Sequence, residues 1–445
     1  MKETKFKQTE VGMIPSDWEV CPLNFFADIL NGDRGVNYPK DSDFCDAGIP
    51  FINAGHLKKC QIDFSCMDYI TYEHYKKLGG VKIKKNDILF CLRGSLGKYA
   101  YVNFDDAAPA SSLCVLRSKK IDPKYLFQLL GFEYIKTQII DANSGSSQPN
   151  LSAKDVGNFN VIFPPTIEEQ QRIANALSDV DTLIVNLEKL IAKKKNIKQG
   201  AMQQLLTGHK RLPGFAPDER RKGCHSERSA KREVEESSGY KMTELGLIPS
   251  DWEVKKIGDF CSVKDGTHGT YARHDKGCLL LSAKNILDNR LLITNDESFV
   301  SEKDYTEITA NGYPQKGDIL VSCVGSIGRC CILETDEKIA FQRSVAFVRN
   351  KSASTRFLMY AIQGESAQAQ LEESKNASTL GGVYLSALAD IELMLPTSLD
   401  EQTAIANVLS DMDAEIATLE TKLAKYRTLK TGMMQQLLTG KVRLV

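Results

Sequence analysis

The sequence lacks the usual signatures of catalysis and of metal binding. Its twelve cysteines stand singly except for Cys330 and Cys331, so the C-x-x-C spacing of a zinc site is missing. The six histidines form no His-x-Glu or HExxH pair, and no GxGxxG motif is present. The turn Gly94-Ser-Leu-Gly-Lys98 lacks the first glycine and the final Ser or Thr of a phosphate-binding loop. We therefore predict a non-catalytic chain, with a free-standing nuclease disfavoured by the missing metal motif.

Excess charge and long apolar runs are also missing. Lys plus Arg and Asp plus Glu number 57 each, so any basic surface for nucleic acid must be local. No apolar run approaches the roughly eighteen residues that span a membrane, and the N-terminus has no signal-peptide pattern. We expect a cytoplasmic protein without membrane contact, in which the cysteines are small buried hydrophobes.

One stretch occurs twice. It runs from Ile173-Ala-Asn-Ala-Leu-Ser-Asp-Val-Asp181 to Gly208, and from Ile405-Ala-Asn-Val-Leu-Ser-Asp-Met-Asp413 to Gly440. Apolar residues recur in each copy at alternating spacings of four and three, which predicts a helix with one apolar stripe that needs a partner helix. The stripes comprise Ile173, Leu177, Val180, Ile184, Leu187 and Ile191, and Ile405, Leu409, Met412, Ile416, Leu419, Leu423 and Tyr426.

Both copies have start and stop signals. Thr166-x-x-Glu169 and Ser398-x-x-Glu401 are predicted capping boxes, and the glycines at 208 and 440 are stop signals. A helix of about forty residues is roughly 60 Å long, which suits a strut better than the alternative of an ordinary core helix.

The repetition extends beyond the helices. Ile14-Pro-Ser-Asp-Trp18 recurs as Ile248-Pro-Ser-Asp-Trp252. Asn86-Asp-Ile-Leu corresponds to Gly317-Asp-Ile-Leu, and each is followed by a glycine-bounded turn that ends in a basic residue. Residues 31–75 show no evident counterpart in 265–310. The pattern indicates two domains of one fold with two specificities, each ending in a strand that leads into its helix. We expect the two tryptophans, Trp18 and Trp252, to lie in the domain cores; the alternative is that they stack on DNA bases.

We predict an α+β fold with two tandem globular domains of mixed strands and helices, separated by an intramolecular antiparallel coiled coil with pseudo-twofold symmetry. The helices would set the distance between the domains. The predicted segments are residues 1–165 and 242–397 for the domains, 166–208 and 398–440 for the helices, 209–241 for a flexible charged linker and 441–445 for a tail.

These landmarks together resemble the specificity subunit of type I restriction-modification enzymes over nearly the whole chain. The resemblance rests on the two Ile-Pro-Ser-Asp-Trp openings, on Pro164-Pro-Thr-Ile-Glu-Glu-Gln170 and Asp400-Glu-Gln402 at the helix starts, and on the Gln-Gln-Leu-Leu-Thr-Gly ends. The linker at 218–239 is longer and more charged than is usual in that family.

The resemblance implies a reader of double-stranded DNA in which each domain, a target-recognition domain, recognises one half of a split, asymmetric site. It implies two methyltransferase subunits that bring S-adenosylmethionine, and motor or restriction subunits that bring ATP and Mg²⁺, so that this chain needs no cofactor of its own. A coiled-coil adaptor that never contacts DNA stays open as the alternative.

Base recognition needs forked donors or amides on loops, and phosphate anchoring needs Lys, Arg, Ser or Thr. For each candidate the alternative is an exposed loop side chain without a partner, and the turn glycines fit backbone geometry better than phosphate approach. The DNA-binding candidates are Arg93, Ser95, Lys98, Ser146, Ser147 and Gln148, then His56 and Lys58, and in the second domain Ser326, Arg329, Gln342, Arg343, Ser378 and Thr379.

Overall fold

The computed structural model describes residues 5–143, 150–215, 239–287, 289–310, 312, 314–376 and 381–444. The chain divides into two compact units. The first comprises Met1–Lys189 with Thr421–Val445, and the second comprises Leu190–Glu420. Each unit therefore contains one globular domain and a segment of both long helices.

The first domain mixes short strands and helices. Its helices are Tyr72–Lys77, Pro123–Leu130, Glu133–Ala142 and Ala153–Gly157, with short 3-10 turns at Leu23–Phe25, Asp41–Asp43 and Ala54–His56. Its strands are Phe6–Thr9, Gly12–Pro15, Glu19–Pro22, Ala27–Asn31, Phe44–Cys45, Ile49–Ile52, Leu57–Lys58, Gln61–Ile62, Asp68–Ile70, Ile88–Cys91, Tyr99–Tyr101, Ala108–Pro109, Leu113–Ser118 and Asn160–Phe163.

The second domain has a similar order of elements, although its described residues contain no counterparts of the 3-10 turn Asp41–Asp43 and the strand Phe44–Cys45. Its helices are Ile257–Phe260, Glu302–Ile308, Thr355–Gln363, Glu365–Asn376 and Leu385–Asp390, with a 3-10 turn at Ala283–Asn285. Its strands are Tyr240–Thr243, Gly246–Pro249, Trp252–Lys256, Cys261–Asp265, Cys278–Leu281, Ile286–Leu287, Arg290–Leu291, Ser298–Val300, Ile319–Ser322, Cys330–Ile332, Ile339–Phe341, Val345–Asn350 and Glu392–Pro396.

Each domain is built on a four-stranded antiparallel sheet, called here its central sheet. The run Ile88–Cys91 is buried along its whole length because it pairs on both sides, and Ile319–Ser322 occupies the same place in the second domain. The strand orders are Tyr99–Tyr101, Ile88–Cys91, Leu113–Ser118, Ala27–Asn31 in the first domain, and Cys330–Ile332, Ile319–Ser322, Val345–Asn350, Cys261–Asp265 in the second.

Residues 31–75 do have a structural counterpart in 265–310, which corrects the sequence expectation. Both segments contain, in the same order, a strand, a 3-10 turn, a hairpin of two two-residue strands, a further strand and a helix. The 3-10 turns even use equivalent side chains. His56 accepts the N–H of Asn53 (3.1 Å), and Asn285 accepts the N–H of Ser282 (2.9 Å). The equivalence was invisible in the sequence because different side chains perform the same hydrogen bonding.

The two long helices span Ile167–Leu206 and Leu399–Leu437, close to their predicted bounds. The predicted stripes are buried or half-buried, with Ile173 and Leu409 at 0% exposure. Within the first unit, Glu188 pairs with Arg427 and Asp181 with Lys430. Because the residue numbers rise on one helix as they fall on the other, the helix segments are antiparallel.

The second unit has the same arrangement, through Lys194–Glu415 (2.6 Å) and Lys198–Asp413 (2.5 Å). The predicted fold class, two tandem α+β domains with an intramolecular antiparallel pair of long helices, is confirmed. Asp181–Lys430 in the first unit and Asp413–Lys198 in the second are pairs of equivalent residues of the two repeats.

The predicted capping boxes are half right. The hydroxyls of Thr166 and Ser398 accept the N–H groups of Glu169 and Glu401, each at 3.4 Å. The two glutamate side chains, however, pair with arginines that follow the ends of the long helices. Glu401 binds Arg211 (2.5 and 2.7 Å) and Glu169 binds Arg443, so the carboxylates stabilise tertiary contacts instead of the helix starts.

The segments after the long helices are therefore structural. Arg443 lies in the predicted tail and also contacts Asp17 at 3.0 Å, while Arg211 lies in the predicted linker and contacts Asp251 at 2.9 Å. Residues 216–238 of that linker lie outside the described part of the chain. Its last two predicted residues already belong to the strand Tyr240–Thr243.

The repeated sequence motifs meet in space. The helix ends pack on the domain openings, since a Cβ added to Gly208 would lie 2.5 Å from the ring of Pro249, and one added to Gly440 would lie 2.5 Å from that of Pro15. Trp18 and Trp252 are fully buried in the adjoining cores, as predicted. The Leu-Leu-Thr-Gly and Ile-Pro-Ser-Asp-Trp motifs are thus two halves of one contact.

Candidate nucleic-acid interface

Each central sheet ends in a turn of the same conformation, called here the glycine turn, at residues 92–98 and 323–329. In the first, Gly94 and Gly97 have φ of +78° and +75°, and in the second Gly325 and Gly328 have +77° and +80°. A Cβ added to Gly94 or Gly325 would meet nothing within 4 Å. These two glycines are therefore present for their backbone conformation, which other residues adopt at a cost, and not for close packing.

The glycine turns present five of the candidate side chains. The turns are closed by hydrogen bonds from Cys91 N–H to the Lys98 carbonyl (2.8 Å) and from Ser322 N–H to the Arg329 carbonyl (2.9 Å). All five side chains are exposed, and in the described contacts only that of Arg93 has a partner, Asn150 Oδ1 at 3.2 Å. They are Arg93, Ser95, Lys98, Ser326 and Arg329.

A second turn lies beside each glycine turn at the same sheet edge. In the second domain it comprises residues 342–344, and the Ser344 carbonyl accepts the N–H of Cys323 at 2.9 Å. Arg343 is exposed and Gln342 is half-buried. The structure thus brings these two candidates next to Ser326 and Arg329. The equivalent turn of the first domain is residues 110–112, where Ser112 accepts the N–H of Leu92 at 2.8 Å.

A third loop completes this edge, and the sequence analysis did not single it out. It follows the strand Ala27–Asn31 in the first domain, where Arg34 Nη2 donates to the Ser111 carbonyl at 3.3 Å. In the second domain it follows Cys261–Asp265, where the Thr267 carbonyl accepts the N–H of Arg343 at 3.0 Å.

This loop adds further exposed basic groups, Arg34, His268 and Arg273. A sequence signal was available, since both loops combine glycine with basic residues, in Asn31-Gly-Asp-Arg-Gly35 and in Asp265-Gly-Thr-His-Gly269. It was missed because the two loops otherwise differ, and strand pairing alone shows that they are equivalent.

Local interactions hold the charged groups of this edge in place. The N–H groups of Gly35 and Gly79 bind the carboxylate of Asp33 and lower its pKa below the ordinary value. The Asp265 carboxylate lies 2.7 Å from His268 Nε2. Asp33 and Asp265 are thus held by contacts within their own domains, whereas the arginines of the three loops are exposed. We refer to the three loops of each domain as its basic edge.

Five candidates cannot be placed, because Ser146, Ser147, Gln148, Ser378 and Thr379 lie outside the described residues. The chain flanking these segments does lie at the basic edge. Asn150 forms a bridge with Arg93, and Gly382 forms the equivalent bridge with Val324.

His56 and Lys58 lie in other environments. His56 is 7% exposed, and besides accepting from Asn53 its ring contacts the Cys66 carbonyl through Nε2 at 3.0 Å. Both ring nitrogens are therefore used inside the domain. Lys58 is exposed but pairs with Asp63 at 2.7 Å, and this hydrogen bond raises the pKa of the lysine. His56 lies in the 3-10 turn Ala54–His56, and His74 lies in the helix Tyr72–Lys77.

Within the described residues, no group of three or more His, Cys, Asp or Glu side chains is arranged to hold a metal ion. The same residues contain no helix long and apolar enough to cross a membrane. Among the described cysteines most are buried, but Cys60 and Cys66 are exposed, which departs from the expectation that all are core residues.

Comparisons with known proteins agree on one family. The family model described as "Type I restriction modification DNA specificity domain" matches residues 15–199 and 249–425, one match in each repeat. The type I restriction enzyme MjaVIII specificity subunit of Methanocaldococcus jannaschii is 26% identical over 457 residues, covering 99% of this chain and 97% of that protein. The EcoBI specificity subunit of Escherichia coli is 27% identical over 207 residues, 44% of this chain and 42% of its own length.

Solved structures show the same fold. The S subunit of a type I restriction-modification system from M. genitalium aligns with a TM-score of 0.58 at 16% identity, covering 98% of both chains. A chain from a structure of type I R-M complex assembly and conformational transition aligns with a TM-score of 0.53 at 17% identity, covering 96% of this chain and 99% of that one.

Proposed function

This chain belongs to the family of type I restriction modification DNA specificity domains, and we propose that it recognises a bipartite, asymmetric DNA site as the specificity subunit of a type I restriction-modification complex. Each domain recognises one half-site through its basic edge. The long helices set the gap between the half-sites. The chain itself performs no covalent chemistry.

The observation that carries this proposal is the basic edge, which occurs once in each domain on the same frame with different side chains. Arg93 and Lys98 occupy it in the first domain, and Arg329 and Arg343 in the second. Guanidinium groups on loops can donate two hydrogen bonds to a guanine in the major groove, and Lys and Ser suit phosphate oxygens. Two equivalent edges with unlike side chains fit a site whose halves differ in sequence.

The catalytic groups belong to partners in this proposal. Methyltransferase subunits, two per chain, supply S-adenosylmethionine and dock on or near the long helices, and motor subunits supply ATP and Mg²⁺. Exposed apolar side chains on the first long helix support docking there. Leu190 and Ile197 are 39% and 47% exposed and lie seven residues apart, so they share one helix face.

Binding to duplex DNA at increasing salt, with the chain alone and with its methyltransferase partner, tests the central claim. Neutralised phosphates release counterions, so affinity should fall steeply as salt rises. Methylome sequencing of a host that carries both genes should then give one motif with two defined halves and a fixed gap. Failure to bind DNA in either condition would favour a coiled-coil adaptor instead.

A further inference from the structure

The two glycine turns share one backbone and differ mainly at one exposed position. The sequences are Leu92-Arg-Gly-Ser-Leu-Gly-Lys98 and Cys323-Val-Gly-Ser-Ile-Gly-Arg329. The glycines and serines are identical, the fifth residues are both apolar and the last residues are both basic. The remaining exposed position holds Arg93 in the first domain and Val324 in the second.

The same contacts hold this position in both domains. The residue before it donates its N–H to a serine carbonyl, Leu92 to Ser112 (2.8 Å) and Cys323 to Ser344 (2.9 Å). The carbonyl of that preceding residue accepts an N–H from a third segment, from Leu151 in one domain and Val383 in the other, both at 2.9 Å. The position itself then forms an isolated bridge, Arg93 with Asn150 and Val324 with Gly382. Arg93 and Val324 therefore leave equivalent points of equivalent edges.

Their side chains suit different bases. A guanidinium donates two hydrogen bonds to O6 and N7 of guanine, whereas a small branched apolar group contacts the 5-methyl of thymine. Val324 is 43% exposed, so it lies open to solvent instead of filling the core. The neighbouring Ser95 and Lys98, and Ser326 and Arg329, are alike in both domains and so suit the phosphates, which carry no sequence information.

We propose that positions 93 and 324 are the equivalent base-reading positions of the two domains, at which Arg93 binds a guanine in one half-site and Val324 contacts a thymine methyl in the other. This inference rests on the proposed function and adds the chemistry of one base contact in each half. It shows how one turn can serve two specificities, because within the glycine turn the anchoring groups are alike and one exposed side chain differs.

Reciprocal exchange tests the proposal. The full chain with its methyltransferase partner selects sequences from a randomised duplex DNA library, as wild type and as Arg93→Val and Val324→Arg. Arg93→Val should reduce a guanine preference in one half-site by roughly 10- to 100-fold and leave the other half-site unchanged. Val324→Arg should introduce a guanine preference in the other half-site only.

Removal of the thymine methyl group from the DNA tests the contact of Val324 separately. Replacing the contacted thymine by deoxyuridine removes one methyl group, which should weaken wild-type binding by about fourfold. Val324→Ala should bind the two duplexes within about twofold of each other. The alanine variant also serves if Val324→Arg does not fold, and Arg93→Lys serves in the first domain, where it keeps the charge but loses the fork.

Lys98→Ala is the matched control for phosphate anchoring, and it should weaken all sequences equally. Unchanged preferences in variants that bind would overturn the proposal, and so would an equal loss for all sequences in Arg93→Val. A wild-type motif without a G·C pair in the first half-site would also overturn it. A wild-type chain that selects no sequence would instead refute the proposed function itself.

Discussion

Arg211 and Glu401 form a two-point ion pair in which both side chains are almost fully buried, at 5% and 1% exposure. Nε and Nη2 of the arginine donate to the two carboxylate oxygens at 2.5 and 2.7 Å. Trp252 donates to the same carboxylate at 3.3 Å. Arg443 and Glu169 form the equivalent pair in the first unit. A segment that follows one long helix is thereby joined to the start of the other.

Removing either arginine should destabilise the protein because it leaves a buried carboxylate without its partner. We expect Arg211→Ala to cost about 3–5 kcal/mol, and Arg443→Ala to cost somewhat less because that arginine is 17% exposed. Urea unfolding measures both. The control is Lys136→Ala, which breaks an exposed pair with Glu133 and should cost less than about 1 kcal/mol. Equal losses in all three variants would show that the buried pairs contribute no more than a surface pair.

Gly208→Ala should be destabilising for two reasons. Its φ of +71° is unfavourable for alanine by about 1–2 kcal/mol, and the new Cβ would lie 2.5 Å from the ring of Pro249. Gly200→Ala is the matched control, because Gly200 lies inside the helix Ile167–Leu206 that Gly208 follows, and an added Cβ there would meet nothing within 4 Å. That variant should gain about 0.5–1 kcal/mol. The Tm of thermal unfolding should therefore fall in Gly208→Ala and rise in Gly200→Ala. A shift of both Tm values in the same direction would contradict the packing of Gly208 against Pro249.

Stability should depend on Glu188 at neutral pH and not in acid. Its hydrogen bond with Lys59, followed by that with Arg427, lowers the pKa of Glu188 in the folded state. A carboxyl group with a lowered folded pKa binds fewer protons when folded, so its stabilisation is full above the unfolded value near 4.3 and is lost as the pH falls through the folded value. Glu188→Gln should cost up to about 1 kcal/mol at pH 7. In urea unfolding from pH 7 down to pH 2 the difference from wild type should vanish, and a constant difference would refute this assignment.

Exchange of residues 9–160 for another domain of this family should change one half-site of the methylated motif and leave the other half and the gap unaltered. The reason is that the first domain has its own core and its own basic edge. Methylome sequencing provides the measurement. Altered bases in both half-sites would refute the independence of the domains.

Deletion of equivalent turns from both long helices should change the gap while the bases of both half-sites stay the same. Removing seven residues from each helix shortens it by about 10 Å, the length of roughly three base pairs. The apolar stripe repeats every seven residues on average, so this deletion retains its phase. An unchanged gap in an active variant would refute the ruler role of the helices.

The elements that the sequence predicted correctly depend on local chemistry or on repetition. Apolar spacing, the capping residues Thr166 and Ser398 and the terminal glycines are enough to define helices at Ile167–Leu206 and Leu399–Leu437. The repeat itself implies two domains of one plan, and the invariant surroundings of Trp18 and Trp252 imply buried positions. The glycine turns are visible because their conformation requires glycine, whatever surrounds them.

The tertiary structure decided the features that depend on partners distant in the chain. Glu169 and Glu401 have the spacing of capping residues, but Arg443 and Arg211 bind their buried carboxylates through charged hydrogen bonds, which are stronger than those to a helix start. His56 was a DNA-binding candidate by residue type, yet the Asn53 N–H and the Cys66 carbonyl hold its ring inside the domain. The basic edge of each domain exists because strand pairing brings together three loops separated by tens of residues, including the loops of Arg34 and Arg273. The sequence alone thus determined the repeated plan and the long helices, because their causes are local. The tertiary structure decided which loops lie together at one edge of each central sheet, because that depends on strand register across the sheet.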